Sequence, residues 1–236
     1  KPISRYPLID NIREFFKIQS WMPIIPWVEK NITMVDDVSS ESDRPDFSRY
    51  CYQLEPLKQW EDIHARKHVT VVMCEQMGKT SLFVYGILYR LIYDPGSVLV
   101  CYPGADKAVE TNSTKFIPLM KKLPGLKEEL LRPRVIRSDR IKLSNAVLYW
   151  QGSGSKIVSK SCSIVCGDEV DQWAPEHPQN LRDLCKRTRS YKSCMEFVVC
   201  SPTVENGHIW QDFLKSSQGY YTLRCKRMWR AYDAKL

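Results

Sequence analysis

The sequence of 236 residues lacks any long hydrophobic run. A membrane-spanning helix needs about 20 consecutive apolar residues. The longest apolar helix candidate, residues 81–93, is shorter than this and is interrupted by Arg90. The N-terminus also lacks the charged and then apolar pattern of a secretion signal. These absences exclude a helical membrane protein, and we expect no membrane partner.

A metal-binding cysteine pattern is also missing, although the chain has nine cysteines, an odd number. Cys162 and Cys166 are close in sequence, but no second pair at metal spacing lies nearby to complete a zinc site. Four of the cysteines lie within or at the ends of apolar runs, which is typical of buried, reduced thiols. They are Cys74, Cys101, Cys166 and Cys200. We therefore expect a reducing, cytoplasmic environment.

The charge balance is basic, with 35 Lys and Arg against 27 Asp and Glu and a net charge of +8. Such a balance favours a polyanionic partner, although it does not determine the fold. The basic residues form three regions, and each can also be read as an ordinary solvated face. The first contains Lys121, Lys122, Lys127, Arg132, Arg134, Arg137, Arg140 and Lys142; the second Arg182, Lys186, Arg187, Arg189 and Lys192; the third Arg224, Lys226, Arg227 and Arg230.

Two parts of the chain differ in composition. Residues 1–48 are interpreted as an irregular or helical segment that ends in an acidic, Ser-rich linker. Within 49–236, short apolar strands alternate with helical stretches, which predicts an α/β fold with a mostly parallel sheet flanked by helices. The predicted strands are 69–74, 97–102, 146–150, 162–166, 197–200 and 220–223, and the predicted helices include 81–93, 105–122 with a kink at Pro118, and 178–189.

A phosphate-binding pattern lies between the first predicted strand and the apolar helix that follows it. The tripeptide Gly78-Lys79-Thr80 would place a tight turn and a helix N-terminus against phosphates, with Lys79 reaching the β- and γ-phosphates and the Thr80 hydroxyl on Mg²⁺. The usual pattern has a further glycine where this chain has Met73. A helix that happens to begin with this tripeptide is the alternative.

An acidic pair follows the buried strand at 162–166. Because ligands bind at the carboxyl ends of parallel strands, Asp168 and Glu169 are expected beside the phosphate loop. We assign Asp168 to Mg²⁺ and Glu169 to the attacking water, which it would orient and deprotonate. The alternative is a solvated acidic turn made by these two residues and Asp171.

A third strand, at 197–200, ends in the polar sequence Ser201-Pro202-Thr203. A hydroxyl of Ser201 or Thr203 could sense the γ-phosphate. A turn nucleated by Pro202, with the hydroxyls as caps, explains the same residues equally well.

Six short motifs in this order resemble the large terminase subunit of tailed phages, in its lambda-like branch. The resemblance covers about residues 21–225, and the motifs are 74–80, 94–100, 101–103, 168–171, 186–188 and 201–203. It implies a RecA-like P-loop NTPase of the additional-strand (ASCE) type, with a Walker A phosphate loop and a Walker B acidic pair. In this family the phosphate loop commonly lacks its first glycine.

The resemblance also implies roles for individual residues. ATP would be held by Glu75, Gln76, Met77, Gly78, Lys79, Thr80 and Ser81, and the motif that couples hydrolysis to movement would be Ser201, Pro202 and Thr203. Gln59 is the candidate for the adenine-contacting glutamine that precedes the first strand. Many terminases carry an arginine finger where this chain has Glu75, so Arg187 or Arg189 would have to supply the cation.

The implied function is an ATPase motor domain at 49–236 that uses ATP and Mg²⁺ to move double-stranded DNA into a procapsid. The expected partners are DNA, the small terminase subunit, the portal protein and further copies of the chain in a ring, in the host cytoplasm. A nuclease domain is expected to follow, so we expect no nuclease activity from these residues. The alternatives are a helicase-type P-loop ATPase, which would need a second RecA-like lobe, and a non-catalytic DNA-binding or assembly module.

Overall fold

A computed structural model describes residues 20–33, 44–155, 160–174 and 180–222. They contain a six-stranded sheet with the order β1-β6-β5-β2-β4-β3. The pairing of β3 with β4 is antiparallel, and all the other pairings are parallel. The strands are β1 (Arg66–Val72), β2 (Ser97–Tyr102), β3 (Arg140–Lys142), β4 (Val147–Gly152), β5 (Ile164–Asp168) and β6 (Cys194–Cys200). This mostly parallel α/β sheet confirms the predicted fold class.

The helices cover both faces of the sheet. They are α1 (Ile24–Asn31), α2 (Leu54–Lys58), α3 (Lys79–Tyr93), α4 (Ala105–Thr111), α5 (Ile117–Lys122), α6 (Leu126–Leu130), α7 (Asn180–Cys185) and α8 (His208–Phe213). One buried cluster joins α1, α3 and α5 to one face of the central strands, and a second joins α7 and α8 to the other face. Every residue of β5 is buried, as expected for a strand covered on both faces.

The strand register brings three strand ends to one edge of the sheet. Val72 pairs with Cys200, and Asp168 pairs with Val199, so β1, β5 and β6 end together. The loop after β1 leads into α3, and the segments that follow β5 and β6 begin beside it. The fold therefore places the three predicted site segments next to one another.

The structure corrects several predictions of detail. Residues 220–222 are not a strand, and 223 lies outside the described residues. The helix predicted at 105–122 is interrupted by the π-turn Asn112–Phe116, which lies before Pro118. The helix predicted at 178–189 is α7 followed by the 3₁₀ turn Lys186–Thr188. The thiol of Cys74 is exposed, whereas those of Cys101, Cys166 and Cys200 are buried.

Other predictions fall partly outside the described residues. Helix α1 lies within the predicted N-terminal segment, but 1–19 and most of the acidic linker, 34–43, are not described. The third basic region also lies outside. Among the described residues, no helix combines the length and apolar character that a membrane crossing requires.

Candidate functional site

The turn before α3 depends on a glycine. Gly78 has a φ of 79°, a left-handed conformation that non-glycine residues rarely adopt. A Cβ atom at this position would lie 2.6 Å from Nε2 of Gln53. Helix α3 begins at the next residue, so its unpaired N–H groups face the space beyond the turn, where an anion can bind.

Lys79 connects the turn to the other two strand ends. Its buried ammonium donates to the carbonyl oxygen of Cys74 at 3.1 Å and to the hydroxyl of Ser201, and lies 3.2 Å from Oε1 of Glu169. The lysine of the phosphate loop, the second acidic residue and the predicted coupling residue therefore meet at one point.

Glu169 is held in a strained backbone conformation immediately after β5. Its φ is 48°, which is uncommon for a residue with a side chain and frequent at functional sites. The other carboxylate oxygen, Oε2, accepts hydrogen bonds from the backbone N–H of Ser201 at 3.2 Å and from the thiol of Cys200 at 3.4 Å. The end of β6 thus holds the Glu169 carboxylate in position beside Lys79.

Asp168, by contrast, retains a carboxylate oxygen without a partner. Its side chain is buried, and Oδ1 has no hydrogen bond among the described residues. Burial, together with the nearby charge of Glu169, raises the pKa of Asp168 to about 7. The indole N–H of Trp173 donates to the backbone carbonyl of Asp168 at 2.8 Å, which fixes Asp168 at the end of β5. A buried, unpartnered carboxylate oxygen suits a hard cation such as Mg²⁺.

A cleft of about 800 Å³ joins these groups, a volume within the range of small-ligand sites. Its walls include Asp168 and Glu169 on one side and the segment from Arg44 to Gln53 on another. The phosphate-loop residues that line it are Gln76, Met77, Gly78, Lys79, Thr80 and Ser81. The structure thus brings together most of the residues assigned from the sequence, including both metal candidates, Thr80 and Asp168.

Glu75 is an exception among the phosphate-loop residues. It is exposed and does not line the cleft. Its assignment to ATP binding is therefore not supported by its position.

Gln59, the candidate for the adenine contact, does not line the cleft. Its side chain donates to Oε1 of Glu55 at 2.7 Å and accepts from Lys67 at 3.3 Å, outside the cleft. Gln53 lies there instead, and its amide donates to the backbone carbonyl of Met77 at 3.0 Å. The sequence gives only a weak indication of Gln53, because both glutamines precede β1. Only the tertiary fold shows which of them lies at the phosphate turn.

Arg187 does not reach the cleft within its own chain. Its carbonyl accepts the N–H of Cys162, just before β5, and its Nε donates to the carbonyl of Asp183 at 3.1 Å. These contacts place it at the amino edge of the sheet, a full strand length from Asp168. The structure therefore does not bring Arg187 to the cleft of its own chain, and Arg189, two residues later, follows the same turn.

The predicted coupling residues behave differently from one another. Ser201 is buried and contacts both Lys79 and Glu169, whereas Pro202 and Thr203 are exposed. Asp171 takes a structural role, because its Oδ1 accepts the N–H of Ile209 at the start of α8 at 2.9 Å. Of the three acidic residues at 168–171, Asp168 and Glu169 therefore line the cleft, whereas Asp171 binds the start of α8.

Residues 39–228 match the family model described as phage terminase large subunit gpA, ATPase domain. The chain belongs to this family. No curated protein matches the chain.

Two solved structures share the fold of this terminase family member at low sequence identity. The large terminase of bacteriophage HK97 superposes with a TM-score of 0.62 and 14% identity, covering 82% of this chain and 41% of that one. A variant of the large terminase ATPase domain of Thermus phage P74-26 gives a TM-score of 0.50 and 14% identity, covering 66% of this chain and 68% of that one. The chain thus spans less than half of the HK97 protein.

Proposed function

We propose that the chain is the motor domain of a terminase large subunit, which hydrolyses ATP with Mg²⁺ to move double-stranded DNA into a procapsid. The observation that carries this proposal is the meeting of Lys79, Glu169 and Ser201 beneath the Gly78 turn. A cation, a carboxylate and a strand-end hydroxyl at the N-terminus of a buried helix are the parts that a phosphoryl-transfer site requires.

The ion pair between Lys79 and Glu169 has a consequence for nucleotide binding. The two groups neutralise each other at 3.2 Å. Phosphate oxygens entering at the N-terminus of α3 would compete for the Lys79 ammonium, because each can accept a charge-assisted hydrogen bond from it. Glu169 would then be free to accept the proton of an attacking water.

Asp168 and Thr80 are the residues that would hold the metal ion. Bound Mg²⁺ would neutralise charge on the phosphates and orient them. Asp168 offers the unpartnered oxygen Oδ1, and the Thr80 side chain lines the same cleft. Their proximity to the helix N-terminus supports this assignment.

Ser201 would transmit the state of the site to the rest of the domain. It contacts both partners of the Lys79–Glu169 pair, so separation of that pair would change the hydrogen bonds at the end of β6. The segment from 201 to 207 leads directly into α8. We therefore assign the start of the coupling path to Ser201, with Pro202 and Thr203 as its continuation.

The DNA partner is supported by charge. Most of the first basic region is exposed on the side of the sheet that ends in β3. Lys and Arg contacts to phosphates provide a grip that does not depend on sequence, as translocation requires. The small terminase subunit, the portal protein, a ring of further copies, and action in the host cytoplasm at the procapsid belong to the same proposal.

Two substitutions test the nucleotide site. We expect Lys79→Ala to lose nucleotide binding, and Glu169→Gln to bind ATP but turn it over at least about a hundredfold more slowly, because a general base contributes factors of that size. ATP affinity and phosphate release measure the two effects. Unchanged turnover in both variants would refute the site, and binding without turnover by the unaltered protein would favour the non-catalytic alternative.

DNA binding is tested by its dependence on salt. If the basic regions grip phosphates, the logarithm of the affinity for a duplex should fall linearly with the logarithm of salt concentration, with a slope of about −0.9 for each phosphate neutralised. A flat dependence would remove the DNA contact from this domain. The nucleotide site would be unaffected by that result.

A further inference from the structure

A further lysine near Asp168, Lys115, is half-buried. It lies in the π-turn Asn112–Phe116 between α4 and α5, and it lines the same cleft as Lys79 and Asp168. Among the described residues, it makes no hydrogen bond and no ion pair. Lys107, one of its neighbours at the cleft, is exposed and pairs with Glu110 at 3.0 Å. Of the lysines near Asp168, Lys115 is therefore the one whose ammonium can bind an anionic ligand without first giving up an ion pair within the described residues.

The environment of Lys115 disfavours its charge in the absence of a ligand. Burial lowers the pKa of its ammonium, and the charge of Asp168 opposes this effect only in part. Nearby in the cleft, Asp168 has a buried oxygen that accepts no hydrogen bond from the described residues. The ammonium of Lys115 and the Oδ1 atom of Asp168 therefore share a cleft, and each lacks a hydrogen-bond or ion-pair partner among the described residues. Such groups are typical of a site where a charged ligand supplies the missing partners.

The π-turn holds Lys115 in a fixed place. Asn112 and Phe116 on either side of it are buried, at 1% and 0% exposure, and the amide of Asn112 donates to the carbonyl of Ala108 at 2.7 Å. Single π-turns within helices occur frequently at functional sites. The buried neighbours thus fix the backbone position from which the Lys115 side chain reaches the cleft.

We propose that Lys115 is a second phosphate-contacting cation, which reaches the terminal phosphate of a bound nucleoside triphosphate from the Asp168 side of the cleft. The inference rests on the proposed function and deepens it. The terminal phosphate is specified because Asp168 directly precedes Glu169, the proposed water-activating carboxylate, and the attacking water must lie beside the terminal phosphate. A cation there stabilises the charge on the phosphoryl group as it is transferred, a role that Arg187 of the same chain cannot fill from the amino edge.

Lys115→Met tests this inference, since methionine retains an unbranched apolar stem and removes the charge. We expect the affinity for ATP to fall roughly tenfold or more, the size of one charge-assisted hydrogen bond, and the affinity for ADP to fall much less. The nucleotide-free variant should unfold at the same temperature as the unaltered protein or higher, because a half-buried unpaired charge has been removed. Lys115→Arg should recover part of the ATP affinity, and Lys58→Met, at an exposed position of α2, is the matched control.

The outcomes separate the two proposals. A lower unfolding temperature for Lys115→Met with an unchanged ratio of ATP to ADP affinity would show that Lys115 is structural and overturn the inference. If Lys79→Ala abolishes binding while Lys115→Met behaves like the unaltered protein, only this inference fails. If the unaltered protein binds no nucleotide, the proposed function fails first.

Discussion

A buried glutamine sets the shape of the phosphate turn. Gln53 is 8% exposed, and its amide nitrogen donates to the Met77 carbonyl. The same nitrogen occupies the space that a Cβ atom at residue 78 would need. Because the glutamine satisfies a turn carbonyl and packs against the glycine, it fixes the orientation of the N–H groups at the start of α3.

Loss of this contact should weaken nucleotide binding without unfolding the domain. We expect Gln53→Ala to reduce ATP and ADP affinity alike, by roughly tenfold, since one hydrogen bond to a part-buried carbonyl is lost and the turn is loosened. Titration with a fluorescent nucleotide measures both. Gln59→Ala is the matched control, because that side chain lies outside the cleft. A larger loss in the Gln59 variant would restore the assignment made from the sequence.

At the scale of elements, α3 is built to lie directly against an aromatic ring. Gly86, at its centre, has no side chain, and the ring of Trp60 fills the space, with Cδ2 only 2.2 Å from where a Cβ atom would be. Trp60 in turn packs against Phe197 of β6, with ring centroids 5.1 Å apart. This contact places the helix that carries Lys79 close to β6, the strand that ends just before Ser201.

Gly86→Ala should therefore destabilise the protein, although the same change usually stabilises a helix by about 1 kcal/mol. Overpacking against Trp60 and the central sheet is expected to lower the free energy of unfolding by roughly 1–3 kcal/mol. Denaturant unfolding measures the change, and Gly154→Ala, in open space, is the control. In a Trp60→Leu background the penalty should shrink; a penalty of unchanged size there would exclude the ring as its cause.

The elements that the sequence predicts well are those whose signal is local. Helix α3 follows from the apolar spacing of Val84, Ile87, Leu88 and Leu91, and β5 (Ile164–Asp168) overlaps the strand predicted at 162–166. Of the strand expected at 220–223, residues 220–222 are not a strand, because this short aromatic run pairs with no strand in the described part of the chain. Tyr221 instead lies with its hydroxyl 2.9 Å from the thiol of Cys51.

The site follows the same division. Lys79, Asp168 and Glu169 are found from strand-to-loop patterns, since parallel strands bring their carboxyl ends together. Gln53 and Lys115 belong to segments whose place at the cleft is decided by packing, and no local pattern distinguishes them from Gln59 or Lys107. The position of Arg187 could not be predicted for a related reason. The order of motifs along the chain does not show at which edge of the sheet a residue lies.

At the scale of the whole molecule, one ionic cluster ties elements of the sheet and its covering helices together. His68 of β1 lies 2.9 Å from a carboxylate oxygen of Glu196 on β6 and 2.7 Å from one of Asp212 on α8. Thr188 and Arg66 contact Glu196 as well. The hydrogen bonds to Asp212, Cys185 and Glu196 raise the pKa of His68 to about 12.

The carboxylates of this cluster shift in the opposite direction. Burial alone would raise their pKa values, but hydrogen bonds from His68 and Thr188 hold the pKa of Glu196 below its ordinary value. Those from His68 and Thr70 do the same for the pKa of Asp212. The two carboxylates thus contribute stability that is present above their ordinary pKa values and is lost as pH falls. His68 contributes stability that is complete below 6.5 and is lost as pH rises toward 12.

The cluster should therefore stabilise the fold most between about pH 4.5 and about pH 6.5. We expect His68→Gln to lower the free energy of unfolding by on the order of 1–2 kcal/mol near pH 6, a modest value because the histidine is 36% exposed. The difference from the unaltered protein should shrink by about pH 9, because above pH 6.5 the folded protein keeps a proton on His68 that the unfolded chain has released, so that each rise in pH favours unfolding. Denaturant unfolding at both pH values measures this, with His64→Gln, exposed before β1, as the control. A difference that stays constant or grows with pH would mean that packing of the imidazole, and not its charge between two carboxylates, holds β1 to α8.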